Sequence, residues 1–276
     1  MTSAKPLPTS GIDPNSEHSM SPPSAILSFT DYWPRIEAID GWLDRASAAL
    51  MDFMLEAQDL LQTPGQGLLE IGVWKGRSAA LMTRHLRSGE DVLLVDAWLK
   101  KDEVIANLSA AMARRFEQHA IRLLQGTARE LAAAVGPARR FRFIHVDGEH
   151  TAAGLRADLS LARQIVEPTG LIAIDDICNP KYPQLAKELF AFLDTEGRAL
   201  ACVVFGFNKA YLCRSRFLDA YGDMVFEHIN AGMVGRGEPV TLCRTTDRLE
   251  WPGYSVIADI GKARRGPDDR HDYIRP

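Results

Sequence analysis

Residues 68–96 read LLEIGVWKGRSAALMTRHLRSGEDVLLVD. The stretch opens on an apolar run of strand length, Leu68 to Val73, which gives way to a turn between Gly72 and Gly76. Beyond the turn, Ala79, Met82 and Leu86 recur at helical spacing and mark one face for burial. A second apolar run, Val92 to Val95, ends on Asp96. A strand, a glycine turn, a helix and a second strand tipped by an acid form the building unit of a parallel sheet. Ligands of such sheets sit beyond the carboxyl ends of the strands.

A turn that holds a dinucleotide needs glycines at three positions, so that backbone can approach a pyrophosphate. Gly72 fills the first, but Trp74 and Arg77 occupy the second and third. A bulky indole at the middle position opposes close phosphate contact. The phosphate loop ending in Gly-Lys-Ser/Thr is missing too. What remains is Glu70-x-Gly72-x-x-x-Gly76 with Asp96 downstream. That pattern suits a nucleoside whose ribose hydroxyls meet a carboxylate and which carries no phosphate. The turn taken alone equally suits any doubly wound sheet with a tight first loop.

The chain has 276 residues, 46% hydrophobic and 25% charged, enough for one sizeable core with room for an appendage. A net charge of −4 gives no global attraction to nucleic acid or anionic membrane, and neither is expected as a partner. Cys178, Cys202, Cys213 and Cys243 form no Cys-x-x-Cys pair, which argues against a zinc site. Scattered thiols fit a reducing cytosol better than a disulfide scaffold. No apolar run reaches membrane-spanning length, and the N-terminus lacks a signal peptide's apolar segment, so a cytoplasmic protein is expected.

Residues 1–28, rich in Pro and Ser, are expected to be a disordered tail. Residues 29–66 read as a helical segment in which Asp40 caps a helix from about Gly41 to Leu61, with Trp42, Leu43, Leu50, Met51 and Met54 on its apolar face. Its default role is packing on the sheet. Residues 67–215 read as the ligand-binding domain. Within it a helix is expected over about Asp102–Gln118, strands at Ile121–Leu124, Phe141–Val146 and Leu171–Ile174, and helices over about Thr151–Val166 and Tyr182–Leu193. Strands Leu200–Phe205 and Ala210–Arg214 flank Gly206-Phe207-Asn208-Lys209, a hairpin-like turn that makes them antiparallel. The fold class is therefore α/β: a doubly wound, mostly parallel seven-stranded sheet with helices on both faces and a terminal antiparallel hairpin. Residues 216–276 read as an extension of unknown role: a helix from Phe217 through Ile229, an irregular segment, a turn at Trp251-Pro252-Gly253 and a loose end from Arg264.

Three acids crowd one sheet edge. Asp147 ends the fourth strand; Asp175 and Asp176 end the fifth. Carboxylates brought this close repel unless a cation sits among them. Oxygen-only ligands select a hard ion such as Mg²⁺. The plainer alternative has one aspartate capping a helix and another solvated. Trp98, just past the second strand tip, can stack on a purine or serve as core. His150 and Glu149 follow Asp147 closely enough to take a proton, and the imidazole has the better pKa for it near neutrality. Asp158 is expected on a polar helix face and Lys209 in solvent.

Glu70-x-Gly72-x-x-x-Gly76 followed by a strand ending in Asp96 resembles the class I S-adenosylmethionine-dependent methyltransferases, over about Leu68 to Arg214. Val-Asp147-Gly-Glu-His150, then Pro168-x-Gly170 and Ile-Asp175-Asp176, resembles more closely their metal-dependent small-molecule O-methyltransferases. The bacterial sugar and antibiotic-tailoring group carries Asp, Asp, Asp as metal ligands, which this sequence matches at Asp147, Asp175 and Asp176. The resemblance implies S-adenosylmethionine held by Glu70, Gly72, Gly76, Ser78, Asp96, Trp98 and Asp147, with Gly126 and Thr127 near the adenine. It also implies Mg²⁺ on the three aspartates and a sugar, polyketide or phenolic hydroxyl as acceptor. Self-association is left open. Two rivals share parts of the pattern. A nicotinamide-dependent oxidoreductase would want glycine at position 74, and a non-catalytic nucleoside-binding protein need not keep both Asp96 and the three acids.

Overall fold

A computed structural model describes residues 27–64, 66–136, 138–244, 253–259 and 273–274. The expected N-terminal tail before residue 27, the Trp251-Pro252 turn and most of the end after Arg264 lie outside the described residues.

Seven strands follow the expected positions: β1 (Leu68–Ile71), β2 (Asp91–Asp96), β3 (Ala120–Gln125), β4 (Phe141–Val146), β5 (Val166–Ile174), β6 (Leu200–Gly206) and β7 (Lys209–Arg214). They lie in the order β6-β7-β5-β4-β1-β2-β3. The pairs among β1 to β5 are parallel, and β7 runs antiparallel to both neighbours. The β6–β7 turn has two central residues, Phe207 and Asn208, both at positive φ, as a tight hairpin requires.

The seven-strand count needs correction. Among the described residues, the segment after Ile229, expected to be irregular, adds β8 (Val240–Arg244), β9 (Tyr254–Ala258) and β10 (Tyr273–Ile274), in the order β10-β8-β9-β6. Strand β9 pairs parallel with β6, and β8 pairs antiparallel with β9. The physical reason is the free edge of β6, whose unpaired N–H and C=O groups accept a further strand. Val240 and Leu242 alternate into the core, a pattern too short to stand out in the sequence.

Helices cover both faces. On one lie α1 (Phe29–Glu37), α2 (Arg45–Leu60), α3 (Arg77–Thr83), α4 (Lys101–Met112) and α8 (Leu218–Gly235); on the other lie α5 (Ala128–Val135), α6 (Ala152–Ile165) and α7 (Pro183–Asp194). Strand alternation serves both layers: Leu68 packs into the first, Leu69 and Ile71 into the second. Helix α2 starts later than expected, because Asp44 rather than Asp40 accepts a cap bond from the Ser47 amide at 2.9 Å. Trp42 therefore precedes the helix and is 85% exposed. Helix α2 is buried nearly all round, Asp52 and Gln58 included. Asp52 is satisfied there by Arg84 (2.5 Å), His85 (2.6 Å) and Arg236 (2.8 Å), which clamps α2 to α3 and to the end of α8.

Candidate active site

The tight loop after β1 is shaped by two glycines and one acid. Gly72 has φ 88°, and a Cβ there would run into the Asp147 carbonyl oxygen. Gly76 has φ 87° and opens α3. Trp74 between them is also left-handed, at φ 50°, a conformation that costs a bulky residue energy. Asp96 holds it there. Its Oδ2 accepts from the Val73 amide (2.8 Å) and the Trp74 amide (2.9 Å), and its Oδ1 accepts from the Trp98 amide (2.7 Å). A carboxylate has about four acceptor positions, so one remains, on Oδ1. The Trp74 ring lies 5.8 Å from that of Trp42, with the Lys100 ammonium 3.9 Å over its face.

The β4 and β5 tips stand beside this loop, with the Asp147 carbonyl abutting Gly72. Asp147 and Asp176 converge on His150, whose Nε2 lies 3.4 Å from Asp147 Oδ1 and 2.8 Å from Asp176 Oδ2. The three donor atoms all lie within 4.8 Å of one another. The His150 ring is fixed by stacking on Tyr182 (4.4 Å, 17°) and by Gln184, whose amide donates to the His150 carbonyl at 2.8 Å. Asp176 adopts φ 60°, and its Oδ1 accepts from Asn208 (2.7 Å) and Asn179 (2.9 Å), leaving Oδ2 to face His150.

Asp175 faces elsewhere. Its Oδ1 accepts from the Asp176 amide (2.8 Å), while its Oδ2 pairs with the Lys209 ammonium and lies 3.5 Å from His145 Nε2. His145 Nδ1 lies 2.8 Å from Glu70 Oε1. Lys209 is thus buried, 1% exposed, not solvated as expected. Strand alternation explains it, since Lys209, Tyr211 and Cys213 share the inward face of β7. Asp158 is buried as well, against Gly148, because it shares the inner face of α6 with Leu155, Leu159 and Ala162.

Charge follows this geometry. The Asp147 and Asp176 carboxylates push His150 up to about 10. Burial and the Asp175 charge push Asp147 up to about 6. Burial works against ionised Asp175, but Lys209 and His145 outweigh it and hold that carboxyl well below the usual range. Burial likewise opposes the charge on His145, yet Asp175 and Glu70 push it up to about 9. Burial, with Glu149 nearby, raises Asp158 to about 7.

The chemistry of Asp147 and Asp176 fits a divalent cation. Two hard oxygens converge, one each from Asp147 and Asp176, with the His150 imidazole ion-paired beside them. Of the expected trio, the structure brings Asp147 and Asp176 together and leaves Asp175 on Lys209. Glu70 lies wholly inside the sheet rather than in the crevice. Glu149 is exposed and folds over Gly154. Ser78 is half-buried in the first turn of α3. The Gly126 amide donates to the Asp96 carbonyl (3.0 Å), and Thr127 caps α5 in a capping box with Glu130. Trp98 is 83% exposed. Sequence reasoning missed His145, Asn179, Tyr182 and Asn208. Only the β4 alternation, with His145 in step with Phe143, carried a signal for any of them.

Residues 69–177 match a family model described as a methyltransferase domain. No curated protein matches the chain. Among solved structures, the O-methyltransferase NovP superposes with a TM-score of 0.52 at 17% identity, covering 62% of this chain and 80% of that one. The cofactor-bound protein Rv0187 from MTB superposes with a TM-score of 0.50 at 15% identity, covering 67% and 88% respectively. At such identities the likeness speaks for the fold alone. Among the described residues no helix is long and apolar enough to cross a membrane. Together with the glycine turn, the Asp96 acceptor and the acid pair at the strand tips, the match makes residues 69–177 similar to a methyltransferase domain.

Proposed function

We propose that the chain methylates a hydroxyl of a small molecule (a sugar, polyketide or phenol) in the cytoplasm, with the aid of a divalent cation, Mg²⁺ by preference. The single observation carrying this reading is the contact between Gly72 and Asp147, which joins the donor loop and the acid pair in one crevice. The similarity to NovP, an O-methyltransferase, supports oxygen as the acceptor atom.

When bound, S-adenosylmethionine supplies an electrophilic methyl group, and a cation on Asp147 and Asp176 would acidify the acceptor hydroxyl and offset the negative charge that keeps His150 protonated. The open position on Asp96 Oδ1 takes a ribose hydroxyl, beside the Gly72–Gly76 loop. Trp98 and the Gly126-Thr127 turn would hold the adenine end of the cofactor. Asp147 and Asp176 hold the acceptor end, and the oriented His150 Nε2 receives the hydroxyl proton. Glu149 is the lesser candidate for that proton, since no hydrogen bond or ion pair among the described residues ties it to the cluster.

Calorimetric titration should show S-adenosylhomocysteine binding and no NADH binding; the reverse result removes the transferase reading. With a panel of sugar, polyketide and phenol acceptors, release of S-adenosylhomocysteine should stop in chelator and return with Mg²⁺. His150→Ala should lower kcat by about 10²-fold, with S-adenosylhomocysteine affinity changed less than about threefold. Full turnover in chelator would remove the cation.

A further inference from the structure

Strand alternation lines up four ionisable side chains on one face of the sheet at its carboxyl end. Glu70 and His145 are register partners on β1 and β4, His145 is opposite Ala173 on β5, and Ile174 is opposite Ala210 on β7. Asp175 and Lys209 therefore fall on the same face as Glu70 and His145, one level nearer the strand tips, on the side covered by α2 and α8. Apolar residues surround them: Ala173 and Tyr211 stand level with Glu70 and His145, and Leu68 and Phe143 lie below. Glu70 and His145 are fully buried and Lys209 nearly so. Contacts run unbroken: Glu70 Oε1 to His145 Nδ1 at 2.8 Å, His145 Nε2 to Asp175 Oδ2 at 3.5 Å, and Lys209 Nζ onto that same oxygen.

Four ionisable groups under a sheet are costly, and a core would be more stable without them. Their placement is informative because they end on Asp175. Its second oxygen takes the Asp176 amide at 2.8 Å, where Asp176 is forced to φ 60°. That left-handed turn aims Asp176 at Asp147 and His150.

We infer that Asp175 is a positioning residue and not a cation ligand, and that Lys209, His145 and Glu70 hold it so that Asp176 and Asp147 form the cation seat beside His150. This rests on the cation-assisted reading above. Asp175 meets Lys209 with the oxygen a cation would need, while its other oxygen holds the strained peptide.

The two roles predict opposite signs for one substitution. If Lys209 steadies the seat, Lys209→Met weakens binding of Mn²⁺, read by the paramagnetic resonance of the free ion, by about tenfold or more, and Lys209→Arg restores part of it. If Asp175 were a ligand, removing its competitor would tighten Mn²⁺ binding. Full-length wild type and variants are compared, with S-adenosylhomocysteine affinity and the melting transition measured alongside; both should show an intact donor pocket. Tighter or unchanged Mn²⁺ binding in Lys209→Met overturns the inference. Should that variant lose its cooperative transition, His145→Gln carries the test: a several-fold loss of Mn²⁺ affinity supports the inference, and an unchanged affinity overturns it. Wild type that binds S-adenosylhomocysteine but no Mn²⁺ overturns the cation reading itself, and the inference with it.

Discussion

Gly72 and Gly76 show how two residues with the same backbone geometry do different work. Both have positive φ, near 88°, but only Gly72 has no room for a Cβ, because the Asp147 carbonyl occupies that space; at Gly76 the nearest atom is 3.5 Å away. Gly76→Ala should therefore cost only the left-handed penalty, about 1–2 kcal/mol, and keep S-adenosylhomocysteine binding within a few-fold. Gly72→Ala must push β1 from β4. It should cost more than about 2 kcal/mol and abolish that binding, as followed by denaturant midpoint and calorimetry. Equal effects of the two substitutions would mean that the Gly72–Asp147 contact does not shape the pocket.

The β6–β7 hairpin carries more than its turn. Asn208 sits at φ 66°, which asparagine tolerates, while its side chain donates to Asp176 Oδ1 (2.7 Å) and accepts from the Cys178 amide (3.0 Å). Turn and site thus make separate demands on one residue, and two substitutions separate them. Asn208→Gly should keep most of the folding stability, because glycine accepts the backbone, yet lose about tenfold in Mn²⁺ affinity. Asn208→Ala should lose the same affinity and a further ~1 kcal/mol of stability. Retained Mn²⁺ affinity in the glycine variant would detach the hairpin from the site. Helix α8 has a comparable double attachment. It packs on α2, where Gly232 lies against Phe53, and its last turn leads to Arg236, bonded to Asp52 and paired with Glu56.

Across the molecule, α2, the residues after α3 and the residue that ends α8 are joined through one buried acid, Asp52. Burial opposes the charge of Asp52, but His85, Arg84 and Arg236 outweigh it and hold the group at about 2 rather than 3.8. A carboxyl depressed on folding stabilises above its unfolded pKa and loses that contribution as pH falls through the folded value. The contribution is about 2 kcal/mol, fully present above about pH 4 and lost between about pH 4 and pH 2. The stability gap between wild type and Asp52→Asn, from denaturant unfolding, should be widest near neutrality and narrow over that window. A gap independent of pH would mean that Asp52 acts through packing alone.

The sheet could be read from periodicity because hydrophobic alternation and glycine turns are local properties. β1 to β7, their helices and the hairpin all follow from residues near one another in the chain. So does the gathering of Asp147, Asp175 and Asp176 at one edge, since parallel strands bring their tips together wherever the sheet forms. The direction each acid faces is not local. Lys209, more than thirty residues beyond Asp175, draws that carboxylate inward, and His150 takes the place expected for it beside Asp147 and Asp176. The edge filled by β8 to β10 has the same cause: a free strand edge is satisfied by whatever backbone reaches it, and that is settled only when the chain has folded.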